Sequence, residues 1–381
     1  MPASTSTKPS TWRPSTLTKP TASPATVEVK PSMLSNTEST RTLLPKLLTT
    51  LLALATCLGL ASAEHHMKRQ PTLEARQSVN TVPLTINNQC PSTVWVGVYT
   101  TGNDVDLNTG FALDAQQTRA FNVPTHWQGR VWGRTNCTFG SMNSVGGYGE
   151  ACVTGDCGGV LDCKTPGNPP ATLAEFTMNG SDSQTFYDIS LVDGYNLPMA
   201  IIMDPNGVPA LEKINLASTN PSCVASIGDF GPMDWNPYAS GQSFLGTTLT
   251  NPLPFVKTLT AALVAAWCPW DLQSSMPEGP ANGVFRYPDM SVLRPAFDPC
   301  VSACYKHRTD EYCCTGEHNL PSTCSASYYS KAAKTVCPDA YSFAFDDTTS
   351  TFITPAGGGY EVRFCPGGFS TDILKDTKGK P

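Results

Sequence analysis

Residues 81–100 read TVPLTINNQCPSTVWVGVYT, and within them Val82, Leu84 and Ile86, then Val94, Val96 and Val98, recur at every second position. A period of two puts alternate side chains on opposite faces, so these are half-buried strands rather than helices. Apolar residues at Phe121, Val123, Val131 and Trp132 continue the short runs, and Gly, Asn, Asp and Pro clusters separate them. That spacing suits an antiparallel sandwich or barrel. Composition agrees: 15% of residues are charged while 30 are Gly and 33 Pro, which favours turns and short strands over long surface helices. No internal repeat of fixed period is visible.

Upstream of this β region the chain changes character. At 381 residues it is long enough for a sizeable core plus appendages. Residues 1–46 form a Ser/Thr/Pro-rich leader that cannot bury a core, with the start at Met1 or at Met33. After Arg41 and Lys46 comes LLTTLLALATCLGLASA at 47–63, which has the apolar run and small-residue end of a secretory signal peptide. A signal anchor is the rival reading, since the run is nearly long enough to span a bilayer. We expect cleavage, and hence secretion to the extracellular space or cell wall with no stable membrane anchoring. Residues 64–80 read as a short pro-segment or linker, in which dibasic Lys68-Arg69 hints at processing on a fungal secretory route.

The net charge of −6 supplies no basic field for phosphates, so no nucleic acid partner is expected. Removing the signal takes Cys57 and leaves fourteen cysteines, an even number that predicts seven disulfides in an oxidising compartment. Six of the fourteen lie between Cys300 and Cys337. Residues 269–340 therefore read as a small disulfide-rich lobe, its bridges each worth about 2–4 kcal/mol, with one short helix over 325–336 N-capped by Ser325. The β-sandwich would occupy 81–222 and take its returning strands from 341–367, ahead of a tail at 368–381. Between them, 223–268 reads as an insertion in which Phe255, Leu259, Leu263, Val264 and Trp267 recur at helical spacing. It is either a lid or substrate wall, or a surface element packing its apolar stripe on the body.

Familiar catalytic motifs are missing: there is no Gly-x-Ser-x-Gly elbow, His-Glu-x-x-His or phosphate loop. His126, His307 and His318 stand in scattered polar contexts and read as surface residues. A zinc reading of Cys300, Cys304, Cys313 and Cys314 conflicts with the oxidising compartment, so neither metal nor cofactor is expected. Asn136-Cys137-Thr138 and Asn179-Gly180-Ser181 are N-glycosylation sequons, the second in a Gly-containing turn.

CVTGDCGGVLDC at 152–163 closely resembles the signature of the thaumatin-like family, which includes osmotin and thaumatin. Other landmarks follow in order: NQCP at 88–91, GRVWGRTNC at 129–137, PPATLAEF at 169–176, FYDISLVDGYNLP at 186–198, EYCC at 311–314, CPDAY at 337–341 and FCP at 364–366. The resemblance spans about 81–367 apart from the insertion. It implies an all-β, flattened antiparallel β-sandwich with a small disulfide-rich lobe; separately, nothing in the sequence suggests an obligate partner, and a monomer is expected. Two departures stand out. The 147–152 segment is one residue longer than usual, and one bridge is missing, with no cysteine near Asn220 or Thr354.

By resemblance the pairs are Cys90–Cys365, Cys137–Cys152, Cys157–Cys163, Cys223–Cys337, Cys268–Cys300, Cys304–Cys313 and Cys314–Cys324. Resemblance also implies an acidic cleft formed by Arg130, Glu175, Asp188, Asp193 and Asp346, with Asp347 as the alternative to the last. Glycosidic cleavage needs one protonated and one ionised carboxyl, and crowding carboxylates raises the pKa of at least one. Glu175 is the expected acid, Asp188 or Asp193 its catalytic partner, and Arg130 the group that keeps one carboxylate ionised. Tyr148, Tyr187, Tyr195 and Phe369 are candidate sugar platforms. The expected ligand is cell-wall β-1,3-glucan, bound and hydrolysed by weak endo-β-1,3-glucanase action, or bound without turnover by an antifungal or wall-structural protein.

Overall fold

The computed structural model describes residues 81–101, 107, 109–140, 150–274 and 299–377. The leader, signal and pro-segment expectations, Tyr148, and the start of the lengthened turn before Cys152 lie outside the described residues.

Strand β1 (Thr81–Asn88) buries Val82, Leu84, Ile86 and Asn88 and leaves the alternate positions half-exposed, the period of two in its plain form. Strands β2 (Val94–Thr100), β3 (Gly110–Leu113), β4 (Thr118–Pro124) and β5 (Gln128–Arg134) follow. Next come β6 (Leu173–Thr177), β7 (Gln184–Ser190), β8 (Met199–Asp204) and β9 (Ser222–Cys223), and after a long excursion β10 (Phe352–Pro355) and β11 (Gly359–Phe364). They form a five-stranded sheet in the order β4-β1-β11-β8-β9 and a six-stranded sheet in the order β10-β7-β6-β5-β2-β3. The sheets enclose a core that includes Leu84, Ile86, Val96, Val131, Ile201 and Val362. Pairing is antiparallel in both sheets except where β1 runs parallel to β11, opposing Ile86 to Val362. The fold is therefore a mostly antiparallel sandwich, corrected at one pair for which the local alternation carries no signal.

Seven disulfides join Cys90–Cys365, Cys137–Cys152, Cys157–Cys163, Cys223–Cys337, Cys268–Cys300, Cys304–Cys313 and Cys314–Cys324. In the lobe, α2 (Ala303–His307) buries only Ala303 and α3 (Asp310–Cys313) buries nothing. Burying a large apolar side chain contributes about 1.5–3 kcal/mol, so around α2 and α3, where little is buried, the bridges take the place of a core. Helix α4 (Tyr328–Val336) starts after Ser327, whose hydroxyl accepts from Ser330 N, so the cap falls two residues beyond the predicted Ser325.

The signature stretch has a structural explanation. Arg134 on β5 is fully buried and donates to the carbonyls of Trp95, Val96, Val160 and Leu161 at 2.8–3.0 Å. Buried Asp156 accepts from the backbone N–H groups of Ala151, Cys152, Gly158 and Gly159 at 2.8–3.2 Å. Two charges thus organise the loop closed by Cys157–Cys163, and Trp132 donates to Gly155 O beneath it. At the position of the absent bridge, buried Asn220 bonds Met203 N and Leu245 O, and buried Thr354 meets the Tyr360 hydroxyl at 3.1 Å.

Within 223–268 only Ala261–Ala266 forms an α-helix, α1, capped by Thr260. Val264 and Trp267 are buried while Leu263 is 52% exposed, so the helical stripe is shorter than its spacing predicts. Residues 223–268 are woven into the tail that follows β11: Phe230 bridges Gly368, Phe255 bridges Thr371, and Val256 N donates to Ser370 O.

Candidate functional site

Strands β5, β6 and β7 lie side by side with Arg130 opposite Glu175 and Glu175 opposite Asp188. Because side chains alternate, all three project from the same outer face, while Val131, Ala174 and Ile189 enter the core. The fourth group, Asp193, follows β7 in a turn. Gly194 holds that turn at φ +94°, where a Cβ would lie 2.5 Å from Cys300 O. The α4 residue Tyr329 steadies it from the lobe by donating to Leu191 O at 2.7 Å.

Arg130 reaches two carboxylates, Glu175 at 3.0 Å and Asp193 at 3.4 Å. Their side chains are 26%, 30% and 34% exposed, so the group is open to a ligand yet partly shielded from water. Burial pushes the Glu175 carboxyl up, Arg130 opposes the rise and Asp193 adds to it. Asp193 is likewise raised by burial against the pull of Arg130. Asp188 is raised well above the ordinary carboxylate range, by burial first and then by the charge of Glu175. Its Oδ1 is buried and has no hydrogen-bond partner among the described residues. A carboxyl in that state favours its proton.

Two adjoining depressions of about 380 and 460 Å³ share Glu175, Thr177, Asp188, Tyr341 and Asp347, and together make one polar trough over these strands. Its wall is the segment around Tyr341, whose hydroxyl donates to Asp347 Oδ1 at 2.5 Å. Asp346 is a correction. It is buried and spent on the backbone N–H and hydroxyl of Ser342, the Thr349 hydroxyl and Lys334 at 3.2 Å, so it pins the wall from behind while neighbouring Asp347 faces the trough.

The aromatic candidates also change. Tyr187 and Tyr195 are core residues, their hydroxyls bonded to Thr219 O and to Ser226 Oγ, and Phe369 packs edge-on against Phe230 and Trp235. Of the rings lining the trough, Phe176 belongs to the core and Phe186 and Tyr341 are half-buried at its surface. Phe186 was findable, since it precedes Asp188 by two on the same strand face. No residue of 224–267 lines either depression; Trp267 of that segment packs on Tyr195 and donates to Ala225 O. Both sequon asparagines are exposed, and Asn136 adjoins the Cys137–Cys152 bridge.

A disulfide-stapled sandwich bearing an arginine-centred acidic trough defines the class of protein. The Thaumatin family model matches residues 88–366, and the chain belongs to that family. It is 35% identical over 289 residues to pathogenesis-related protein 5 of Arabidopsis thaliana, covering 76% of this chain and 92% of that one. A pathogenesis-related thaumatin-like protein of Cryptomeria japonica is 36% identical over 74% of this chain and 89% of its own. A protein of Prunus avium named glucan endo-1,3-beta-glucosidase is 34% identical, over 74% and 90% of the two chains. These relatives are plant proteins and lend no support to the expected fungal origin.

Proposed function

We propose that the protein is a secreted, glycosylated defence protein that binds cell-wall β-1,3-glucan in the Arg130 trough and hydrolyses it slowly. The observation that carries this reading is the convergence of Glu175, Asp188 and Asp193 around one arginine in an open polar trough. The name of the Prunus avium relative supports the choice of glucan, and the pathogenesis-related relatives support the defensive role.

Chemically, Asp188 is the better proton donor to a leaving glycosidic oxygen, because burial and an unpartnered Oδ1 favour its protonated form. Glu175, beside Arg130, is then the carboxylate that attacks the anomeric carbon or activates water. This exchanges the roles expected from sequence. Phe186 and Tyr341 give the pyranose faces something to lie against. Release of reducing ends from insoluble β-1,3-glucan tests the reading, alongside pull-down of the protein by the same particles. Glu175→Gln and Asp188→Asn should each cut release at least about a hundredfold with pull-down retained. Pull-down without release by any form would leave a binding protein, and absence of pull-down would refute the reading.

A further inference from the structure

On the other sheet of the sandwich, β1, β8 and β11 bring Thr85, Glu361 and Ile202 into one row. A depression of about 300 Å³ opens there, lined by Thr85, Ile202, Asp204, Leu216, Glu361 and Arg363 and closed at one side by Gly246 of the insertion. Its polar groups are only partly used. Arg363 spends Nε on Glu361 Oε1 at 2.7 Å, and Asn87 donates to the same oxygen at 2.9 Å. Among the described residues the two terminal nitrogens of Arg363, Glu361 Oε2 and the Thr85 hydroxyl have no hydrogen-bond partner, and both charged side chains are 23% exposed.

The chemistry of these groups narrows the ligand. Two carboxylates against one guanidinium leave the rim net negative, which disfavours phosphate, sulfate or carboxylate ligands. A guanidinium fork next to a carboxylate oxygen matches vicinal hydroxyls, each of which donates and accepts at once. Ile202 and Leu216 supply an apolar wall for the C–H face of a ring. The volume sits at the lower end of the range for small-ligand sites, suited to one or two sugar rings.

We propose that this depression is a second binding site for a neutral, hydroxyl-rich pyranose chain, so that one molecule grips two glucan strands from opposite faces of the sandwich. The choice of glucan rests on the function proposed above; the site itself rests on Arg363, Glu361 and Thr85. Two grips on an insoluble polymer would raise apparent affinity well beyond either alone, without a new contact.

Calorimetric titration with a β-1,3-linked glucohexaose, together with the turbidity of glucan particles, tests this on the full secreted chain. Thr85→Trp fills the second depression and Thr177→Trp fills the trough; both are strand positions that favour an aromatic residue. Wild type should bind about two equivalents and aggregate particles, each variant about one equivalent without aggregation, and the double variant none. Arg363→Gln, which removes the guanidinium without adding bulk, should weaken one of the two wild-type events about tenfold and serves if a tryptophan variant fails to fold. A single wild-type equivalent that survives Thr85→Trp and Arg363→Gln but not Thr177→Trp would overturn the second site and leave the trough standing. The reverse pattern would refute the trough alone, and no binding by any form would refute both.

Discussion

Arg134 and Arg130 sit four residues apart on the same face of β5, and their surroundings differ in kind. Arg134 is fully buried and its donors are taken by four backbone carbonyls; burial lowers its pKa to about 10, against the pull of Asp156 and Asp162, so it stays cationic near neutral pH. Arg130 is about a quarter exposed and meets only side-chain carboxylates, which outnumber it. A charge satisfied by backbone is part of the scaffold. One facing several carboxylates across open space is available to a ligand. The most recognisable motif in the chain, CVTGDCGGVLDC, belongs to the first kind, so its specificity reports a loop architecture rather than a reaction.

The contrast yields a graded set of expectations. Arg134→Met should be the most damaging, costing about 3–5 kcal/mol in thermal or denaturant unfolding, because four buried carbonyls and Asp156 lose their counterpart. A cost under about 1 kcal/mol would break the contrast. Asp156→Asn keeps the shape but removes the charge and half the acceptor capacity, leaving backbone N–H groups unmet; about 2–3 kcal/mol should be lost, visible as a lower denaturant midpoint at unchanged m.

At the trough the signs change. Asp188→Asn should stabilise by on the order of 1 kcal/mol near pH 7, since it removes a carboxyl that is poorly solvated when ionised. The folded-state pKa of Asp188 is raised, so its contribution is fully present below the ordinary carboxyl value near pH 4 and lost as pH rises toward the folded value. Wild type and variant should therefore melt alike at about pH 3–4 and separate at higher pH. A constant gap would contradict this. Arg130→Leu should have the smallest effect on stability, under about 1 kcal/mol for a partly exposed pair. Its signature is instead a further upward displacement of Glu175 and Asp193 in a carboxyl-carbon NMR titration, because Arg130 holds both down.

Much of the sandwich was legible because Val82, Leu84, Ile86 and their successors alternate over whole strands. The β1–β11 pairing was not, since it joins segments more than 270 residues apart and depends on closure of the domain rather than on local pattern. Cysteine partners came through resemblance, because fourteen thiols admit far too many pairings for spacing to choose. In the trough, Arg130, Glu175 and Asp188 fall in one row because matching strand positions repeat the same face. Asp346 and Asp347 stand in a turn without such a period, so only hydrogen bonding separates the wall-holder from the ligand-facing residue. Tyr187 and Tyr195 misled as sugar platforms because their hydroxyls have buried partners far along the chain.

The weave of insertion and tail bears on how this protein can be dissected. Residues beyond 366 lie past the end of the family match, yet they partner Phe230, Phe255 and Val256, and Asp339 anchors Ile373 N and Leu374 N. Removing these last residues would leave the aromatic side of 224–267 without the backbone it leans on. The two sequence-distant pieces therefore depend on each other for their fold.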